Sequence, residues 1–203
     1  MTAVLVADGP DRGLVWHYGD PLGEQRWMAD GTGVVDLSSR TVAPDRVVVW
    51  SAFAQPYPGR HGTPDCLGGY ELWVPRAEVP VALARGRAAG LWAYTARRIA
   101  AGVPRPGVDD PPGPGARLVR LHLDGSDERT LTGPMPLTRA GVAVGVLTSA
   151  AYHYELGPIG LGYVDRGVAD ETTLLADGVP ALVERLGWRD LSTGWSPDRR
   201  AGE

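Results

Sequence analysis

Apolar residues occur along the chain in short runs, and the spacing within each run predicts a strand or a helix. The runs Val34 to Leu37 and Val47 to Trp50 flank a Pro-Asp turn and are typical of two buried strands. The run Tyr70 to Val74 alternates between apolar and polar residues and is followed by Pro75, which indicates a half-buried strand. We therefore expect several short strands in the first half of the chain.

Two segments carry helical signals. Asp20 can cap a helix that continues to Ala29, and Pro21 suits the first helical position. Between Ala89 and Ala101, apolar side chains recur at intervals of three and four residues, and Gly102 is placed to end the helix. Helices thus alternate with strands before the middle of the chain.

The strongest change of composition lies in the middle, where eight of the thirteen residues from Val103 to Gly115 are proline or glycine. Beyond it the pattern is that of short strands interrupted by glycines, as a small barrel requires. These strands are Leu118 to Leu123, Val142 to Leu147, Ile159 to Val164 and Thr172 to Leu175. The predicted fold class is α+β, with an α+β region (1–103), a linker (104–116), a small β-barrel (117–191) and a tail (192–203) that frays.

Composition narrows the chemistry that the chain can perform. All 20 basic residues are arginine, so a lysine Schiff base or a P-loop lysine is excluded. Cys66 is the only cysteine, so no internal disulfide or multi-thiolate metal site can form, and a cytoplasmic setting fits best. The net charge of −4 disfavours a general nucleic-acid surface. No signal peptide is expected, and no apolar stretch approaches the ~20 residues that span a bilayer.

Candidate chemistry centres on one predicted strand and one predicted helix. Glu71 lies on the alternating strand, and Arg97 and Arg98 lie in the last turn of the second helix. A solvated carboxylate and an arginine pair that complements the helix dipole are the simpler interpretation. The alternative is a ligand site, because Trp73, Trp92 and Tyr94 could stack on a flat heterocycle while guanidinium groups hold its anionic tail.

Other motifs give no specific site. The four histidines lack the helical spacing of a metal site, and Ser149 lacks the Gly-x-Ser-x-Gly elbow of serine hydrolases. No metal is therefore expected. The proline- and glycine-rich connection at 51–69 is either a functional surface loop or poorly ordered. As a functional loop, it could bring His61, Asp65 and Cys66 together in a new catalytic site.

Several blocks of sequence form a pattern when they are taken in order along the chain. They are residues 17–26 and 33–40, Gly69-Tyr70-Glu71-Leu72-Trp73-Val74-Pro75, the helix Ala89 to Gly102, and residues 144–151 and 156–164. The block from Gly69 to Pro75 is similar to a Gly-Tyr/Phe-Glu-Leu/Ile strand, and the helix block to one ending in Leu-Arg-Leu/Ile-Glu-Ala-Gly. Together the blocks resemble the YgfZ/GcvT folate-binding family, which includes the glycine-cleavage aminomethyltransferase.

This resemblance implies a fold whose central ring surrounds tetrahydrofolate, with a small β-barrel at the C-terminus. By matched position, Glu71 would face the pterin and Arg98 the glutamate tail, with Trp92 and Tyr94 as aromatic contacts. Members of the YgfZ branch are linked to assembly or repair of iron–sulfur enzymes and to tRNA modification. The aminomethyltransferase branch moves a one-carbon unit to folate.

The chain departs from the family pattern in three ways. It is shorter than a typical member, it lacks the Lys-Gly-Cys-Tyr-x-Gly-Gln-Glu type motif, and Ala100 replaces the helix glutamate. Three hypotheses follow. The chain is a folate-binding accessory factor of the YgfZ branch that serves iron–sulfur enzymes, a scaffold paralogue that restores lost core as a homodimer, or a specialised-pathway enzyme. No catalytic base is assigned, and enzymatic activity stays open.

Overall fold

The computed structural model describes residues 2–54, 62–126, 131 and 133–186. These residues form a five-stranded sheet, a closed six-stranded barrel and a small N-terminal hairpin. No helix among them is long and apolar enough to cross a membrane. The strands are β1 (Val4–Leu5), β2 (Val15–His17), β3 (Gly33–Ala43), β4 (Arg46–Ser51), β5 (Thr63–Pro64), β6 (Tyr70–Pro75), β7 (Arg87–Ala89), β8 (Ala116–Leu123), β9 (Met135–Arg139), β10 (Val142–His153), β11 (Gly157–Asp165), β12 (Thr173–Ala176) and β13 (Val179–Arg185). The helices are α1 (Pro21–Ala29), α2 (Val79–Leu83), which follows a 3-10 turn (Arg76–Glu78), and α3 (Leu91–Ala100).

The sheet has the strand order β5-β6-β4-β3-β7, and helices cover both of its faces. Neighbouring strands are antiparallel except for β3 and β7, which run parallel. The apolar runs of β3 and β4 are continuous because both faces are buried. On one face, α1 and α3 pack over Leu37, Val48 and Trp50. On the other, α2 packs over Val47 and Val49.

The barrel closes in the order β10-β11-β8-β13-β12-β9, with all six strands antiparallel to their neighbours. Alternate residues of each strand fill its interior, among them Leu121, Leu137 and Leu147. Glycine is required inside β11, since a Cβ on Gly160 would lie 2.4 Å from Leu147 Cδ1. The glycines that predicted a small barrel therefore allow its strands and core side chains to approach closely.

Helix α3 lies between the sheet and the barrel. Its Ile99 packs against Ile159 and Leu161 of the barrel, while its N-terminal turn packs on the sheet. Gln25 of α1 adds a polar contact. Its Nε2 donates to the Tyr152 carbonyl at 2.9 Å, and its Oε1 accepts from the backbone N–H of Tyr154 at 3.0 Å. The two helices thus fasten the barrel to the sheet.

The predicted α+β fold class with a C-terminal barrel is confirmed. Both predicted helices are present, and Asp20 caps α1 by accepting a hydrogen bond from the Gly23 N–H at 2.9 Å. Strands β9 and β13 were not expected, because each is a short segment that contains a proline, Pro136 or Pro180. The boundaries of the linker and barrel stay predictions, and the tail 192–203 lies outside the described residues.

Candidate ligand-binding site

Glu71 forms an ion pair with Arg40 on the sheet face that α3 covers. Arg40 donates from Nη1 to Glu71 Oε1 at 2.5 Å and from Nη2 to Oε2 at 3.2 Å. The side chains are 25% exposed for Glu71 and 39% for Arg40. Burial alone would lower the pKa of Arg40, but the hydrogen bonds and charge of Glu71 raise it. The pair therefore presents an oriented, partly accessible carboxylate.

Arg40 reaches Glu71 because β3 contains a large bulge. Leu37 pairs with Val48 and Thr41 pairs with Val47, so residues 38–40 project from the ladder with no opposing residue on β4. Bulges re-aim side chains in this way and are common beside functional sites. Here the bulge turns Ser39 and Arg40 toward polar partners.

Tyr94 of α3 faces the same region. Its ring lies edge-on to Trp50, with 6.4 Å between centroids, and Trp50 is paired across the strands with Glu71. Burial raises the pKa of Tyr94 to about 12, and the charges of Arg40 and Glu71 act on it in opposite directions. Tyr94 is thus a neutral phenol at neutral pH.

The turn at 65–69 closes over Trp50. Trp50 Nε1 donates to Asp65 Oδ2 at 2.7 Å, and Asp65 Oδ1 accepts from the backbone N–H groups of Leu67 and Gly69. Arg97 lies over the Trp50 ring at 5.6 Å and donates twice to the Leu67 carbonyl. A Cβ on Gly69 would lie 2.1 Å from the Trp50 ring, so only glycine fits there. We call Arg40, Trp50, Glu71, Asp65, Tyr94 and Arg97 the Glu71 cluster.

A second ion pair lies at the edge of the Glu71 cluster. Arg105, which follows α3, holds both carboxylate oxygens of Asp11, one of them at 2.8 Å from Nη2. Ser39 of the bulge donates to Asp11 Oδ1 at 2.5 Å. Burial would raise the pKa of Asp11, but the hydrogen bonds from Arg105 and Ser39 lower it. The hydrogen bond to Asp11 raises the pKa of Arg105, while burial and the positive charge of Arg40 act against this.

Arg98 lies in a different environment, between α3 and the barrel. Arg98 as a whole is only 4% exposed. Its Nη1 donates to Asp109 Oδ2 at 2.5 Å and its Nη2 to Ser149 Oγ at 2.7 Å. Asp109 also accepts from the hydroxyls of Thr148 and Ser149. Burial lowers the pKa of Arg98 and the charge of Asp109 opposes this.

Trp92 is separated from Tyr94 by the geometry of the helix. Two positions along a helix correspond to about 200° of rotation, so their side chains leave α3 on opposite sides. The Trp92 ring lies 5.6 Å from Trp16 and 5.8 Å from His17, and its Nε1 donates to the Tyr152 carbonyl at 3.3 Å. The structure thus places Glu71 and Tyr94 in one cluster, with Arg98 and Trp92 elsewhere on α3.

The alternative site in the connection 51–69 is only partly described. His61 lies outside the described residues. Asp65 is engaged by Trp50 and by backbone N–H groups, and Cys66 is exposed. Although the residue is exposed, neighbouring atoms keep some water from the thiol, and this desolvation together with the charge of Asp65 raises the pKa of Cys66, which disfavours the nucleophilic thiolate. Within the described ranges, no three His, Cys, Asp or Glu side chains are placed to hold a metal ion.

Sequence reasoning missed four charged residues of these contacts: Asp11, Arg40, Arg105 and Asp109. Arg40 and Glu71 are 31 positions apart, and Arg105 and Asp11 are 94 apart. No periodicity connects such positions. The proline-rich composition around Arg105 and Asp109 was a further obstacle, because it indicates a linker and not a segment with buried charges.

Two comparisons relate the chain to known proteins. Residues 117–180 match the family model of the glycine cleavage T-protein C-terminal barrel domain. Among solved structures, glycine cleavage system aminomethyltransferase T from Bartonella henselae matches with a TM-score of 0.51 and 20% identity. That likeness covers 68% of this chain and 58% of that chain. The comparison with curated proteins finds no match. The barrel segment is thus similar in sequence to the T-protein C-terminal barrel domain, and the wider likeness to the aminomethyltransferase is one of fold.

Proposed function

We propose that this GcvT-like chain is a folate-binding accessory protein of the YgfZ branch that acts in the cytoplasm. Its role would be assembly or repair of iron–sulfur proteins, with an effect on tRNA modification. The relationship to the T-protein barrel and fold supports a folate-like ligand. No described side chain is assigned as a catalytic base, so the proposal concerns binding and not turnover.

The Glu71 cluster carries the proposal. Each Glu71 oxygen accepts one hydrogen bond from Arg40, and a carboxylate has about four acceptor positions. The remaining positions suit the amino and ring N–H donors of a pterin. Tyr94 adds a neutral aromatic ring beside this carboxylate. A flat heterocycle with adjacent N–H donors therefore matches the chemistry of Glu71 and Tyr94.

The roles of Arg98 and Trp92 as ligand contacts are part of the same proposal. In the described structure, Arg98 is bound to Asp109 and Ser149, and Trp92 donates to the Tyr152 carbonyl. A ligand would have to replace those partners. Contact with Glu71 and Tyr94 demands no such exchange and is therefore the first interaction to test.

One observation favours the scaffold alternative. Both charged residues predicted to bind folate have intramolecular ion partners, Arg40 for Glu71 and Asp109 for Arg98. A paralogue that had lost folate binding would keep such pairs as structural contacts. This alternative predicts no affinity for folate and assembly with a second copy or with another protein.

Calorimetric titration with tetrahydrofolate tests the proposal. Glu71→Gln keeps the size of the side chain but removes its charge, and loss of a charged hydrogen bond is worth about 1.5–3 kcal/mol. We expect roughly tenfold to hundredfold weaker binding. Glu155→Gln is the matched control, because Glu155 is an exposed residue in the β10–β11 turn.

The outcomes separate the two candidate functions. Binding that weakens in Glu71→Gln and not in Glu155→Gln supports the folate proposal. Absence of heat and of a thermal shift at millimolar tetrahydrofolate contradicts it. In that case, light scattering that shows a homodimer would support the scaffold alternative.

A further inference from the structure

The N-terminal hairpin inserts one carboxylate into the edge of the Glu71 cluster. Asp11 lies at its tip, between β1 and β2, and is held by Arg105 and Ser39. A guanidinium that grips both oxygens, with a hydroxyl donor beside it, is a general recognition arrangement for a carboxylate. These groups could hold the carboxylate of a ligand equally well.

Asp11 is the inward-facing residue of an otherwise exposed tip. Residues 7–10, 12 and 13 are all exposed, whereas Asp11 is half-buried. The backbone hydrogen bonds of the tip are local, such as Leu14 N–H to the Asp11 carbonyl and Gly13 N–H to the Val6 carbonyl. Val6 and Leu14 at the base of the tip pack against the sheet core, whereas these bonds move with residues 7–13, so swinging those residues outward breaks few contacts besides those of the Asp11 side chain.

The balance of charges also favours replacement of the Asp11 carboxylate by another anion. The Glu71 cluster and the Asp11 contact together contain three arginines, Arg40, Arg97 and Arg105, and three acids, Asp11, Asp65 and Glu71. Without Asp11, three positive charges face two negative ones. Arg105 is also close enough to Arg40 for their positive charges to repel each other. The vacated position would therefore attract an anion next to the proposed pterin contact.

We propose that Arg105 and Ser39 form a carboxylate subsite that Asp11 occupies in the free protein and that one of the two carboxylates in the glutamate tail of a folate-like ligand takes over. The inference rests on the proposed function, since that function supplies a ligand with such a tail. Asp11 then acts as an internal competitor. With an internal competitor, the apparent affinity is the intrinsic affinity multiplied by the fraction of time that the subsite is open.

The test uses p-aminobenzoyl-L-glutamate, the tail half of folate, and tetrahydrofolate as separate probes in calorimetry. Asp11→Ala removes the competitor, and Asp11→Asn removes its charge while nearly keeping its shape. Asp8→Ala is the matched control, because Asp8 is an exposed acid of the same tip. We expect p-aminobenzoyl-L-glutamate to bind both Asp11 variants about tenfold or more tightly than the wild type. Asp8→Ala should bind like the wild type, and the Asp11→Ala, Arg105→Ala double variant should lose the gain.

Different outcomes overturn the two proposals. If neither folded Asp11 variant binds the tail fragment more tightly than the wild type, the proposal that Asp11 competes for the subsite is wrong. This holds whatever the affinity for tetrahydrofolate is. An equal gain in Asp8→Ala would also overturn it, because net charge alone would explain the effect. If the gain appears but tetrahydrofolate binds no better than its tail fragment, the subsite stands and the folate function fails. Thermal unfolding of each variant shows which of them are folded.

Discussion

The carboxylate of Glu24 accepts a hydrogen bond from the backbone N–H of Gly90 at 2.8 Å, although the residues are 66 positions apart. Glu24 is fully buried on α1, and Gly90 is the residue that caps the N-terminus of α3. The other oxygen of Glu24 accepts from the Tyr18 N–H at 2.7 Å. A buried negative charge is stable here because backbone donors and the positive end of the α3 dipole surround it.

Glu24→Gln should destabilise the fold. The glutamine has one acceptor oxygen, so its amide NH₂ would face a backbone N–H that now donates to a carboxylate. We expect the free energy of unfolding to fall by about 1–3 kcal/mol, as for an unsatisfied buried donor. Urea unfolding measures the change, with Glu155→Gln as the surface control. A loss no larger than that of the control would show that the charge on Glu24 is not needed.

Gly90→Ala should also destabilise the fold, for a steric reason. A Cβ at Gly90 would lie 2.2 Å from the carbonyl oxygen of Trp16, so β2 or α3 must move. Overpacking of this kind destabilises proteins by about 1–3 kcal/mol. Gly113→Ala is the control, because nothing lies within 4 Å of the Cβ position there. Thermal unfolding should separate the two variants, and equal melting temperatures would contradict the close approach of β2.

Arg98→Ala should be the most damaging of these substitutions. It leaves the Asp109 carboxylate buried without its ion partner, which typically costs 3–5 kcal/mol. Adding Asp109→Ala removes the stranded charge, so the double variant should lose less than the sum of the single losses. Arg166→Ala, on an exposed turn of the barrel, serves as the control. Additive losses in urea unfolding would show that the pair is not coupled.

Arg98→Ala is accordingly a poor probe of ligand binding. Weakened binding in this variant could arise from partial unfolding at the junction of α3 and the barrel. Glu71→Gln avoids this ambiguity, because Glu71 is partly exposed and its change leaves the Arg98 contacts intact.

Acid should weaken the fold through His153. Its Nδ1 accepts from the N–H groups of Glu155 and Leu156, so a proton at Nδ1 would break both bonds. Burial lowers the pKa of His153 below 6.5, with Glu155 opposing and Arg120 and Arg97 adding to the shift. The unfolded chain therefore binds the proton at a higher pH than the folded one. The stability from neutral His153 is fully present above pH 6.5 and is lost as pH falls toward the folded pKa.

Unfolding measured between pH 5 and 8 tests this pH dependence. His153→Asn keeps a side-chain acceptor but does not titrate, so it should flatten the part of the acid slope that lies below pH 6.5. Identical slopes in the wild type and His153→Asn would assign the acid sensitivity to other groups.

Local patterns predicted the elements of the fold better than the contacts of the site. Asp20 and Pro21 predicted the start of α1, and the apolar period predicted α3, because both signals act within a few residues. The strand of Glu71 was predicted in the same way. The bulge at 38–40 could not be predicted, since its effect is to break the alternation on which strand prediction depends.

The site depends on contacts between distant positions. The family resemblance selected Glu71 and Arg98. It gave no indication that Arg40 would form an ion pair with Glu71 or that Asp109 would form one with Arg98. Such pairs form only when the bulge, α3 and the barrel are assembled. The partners of the predicted site residues therefore come from distant segments and can be identified only in the folded structure.

The two ends of α3 have a consequence for the way the molecule opens. The N-cap residue of the helix, Gly90, lies against the carboxylate of Glu24, and its last turn carries Arg98, which pairs with Asp109 beside the barrel. Separating either half of the molecule from α3 would break these hydrogen bonds and expose the apolar side chains that pack against the helix. The sheet and barrel should therefore unfold as one cooperative unit, with the slowest amide protons of both exchanging through the same global opening.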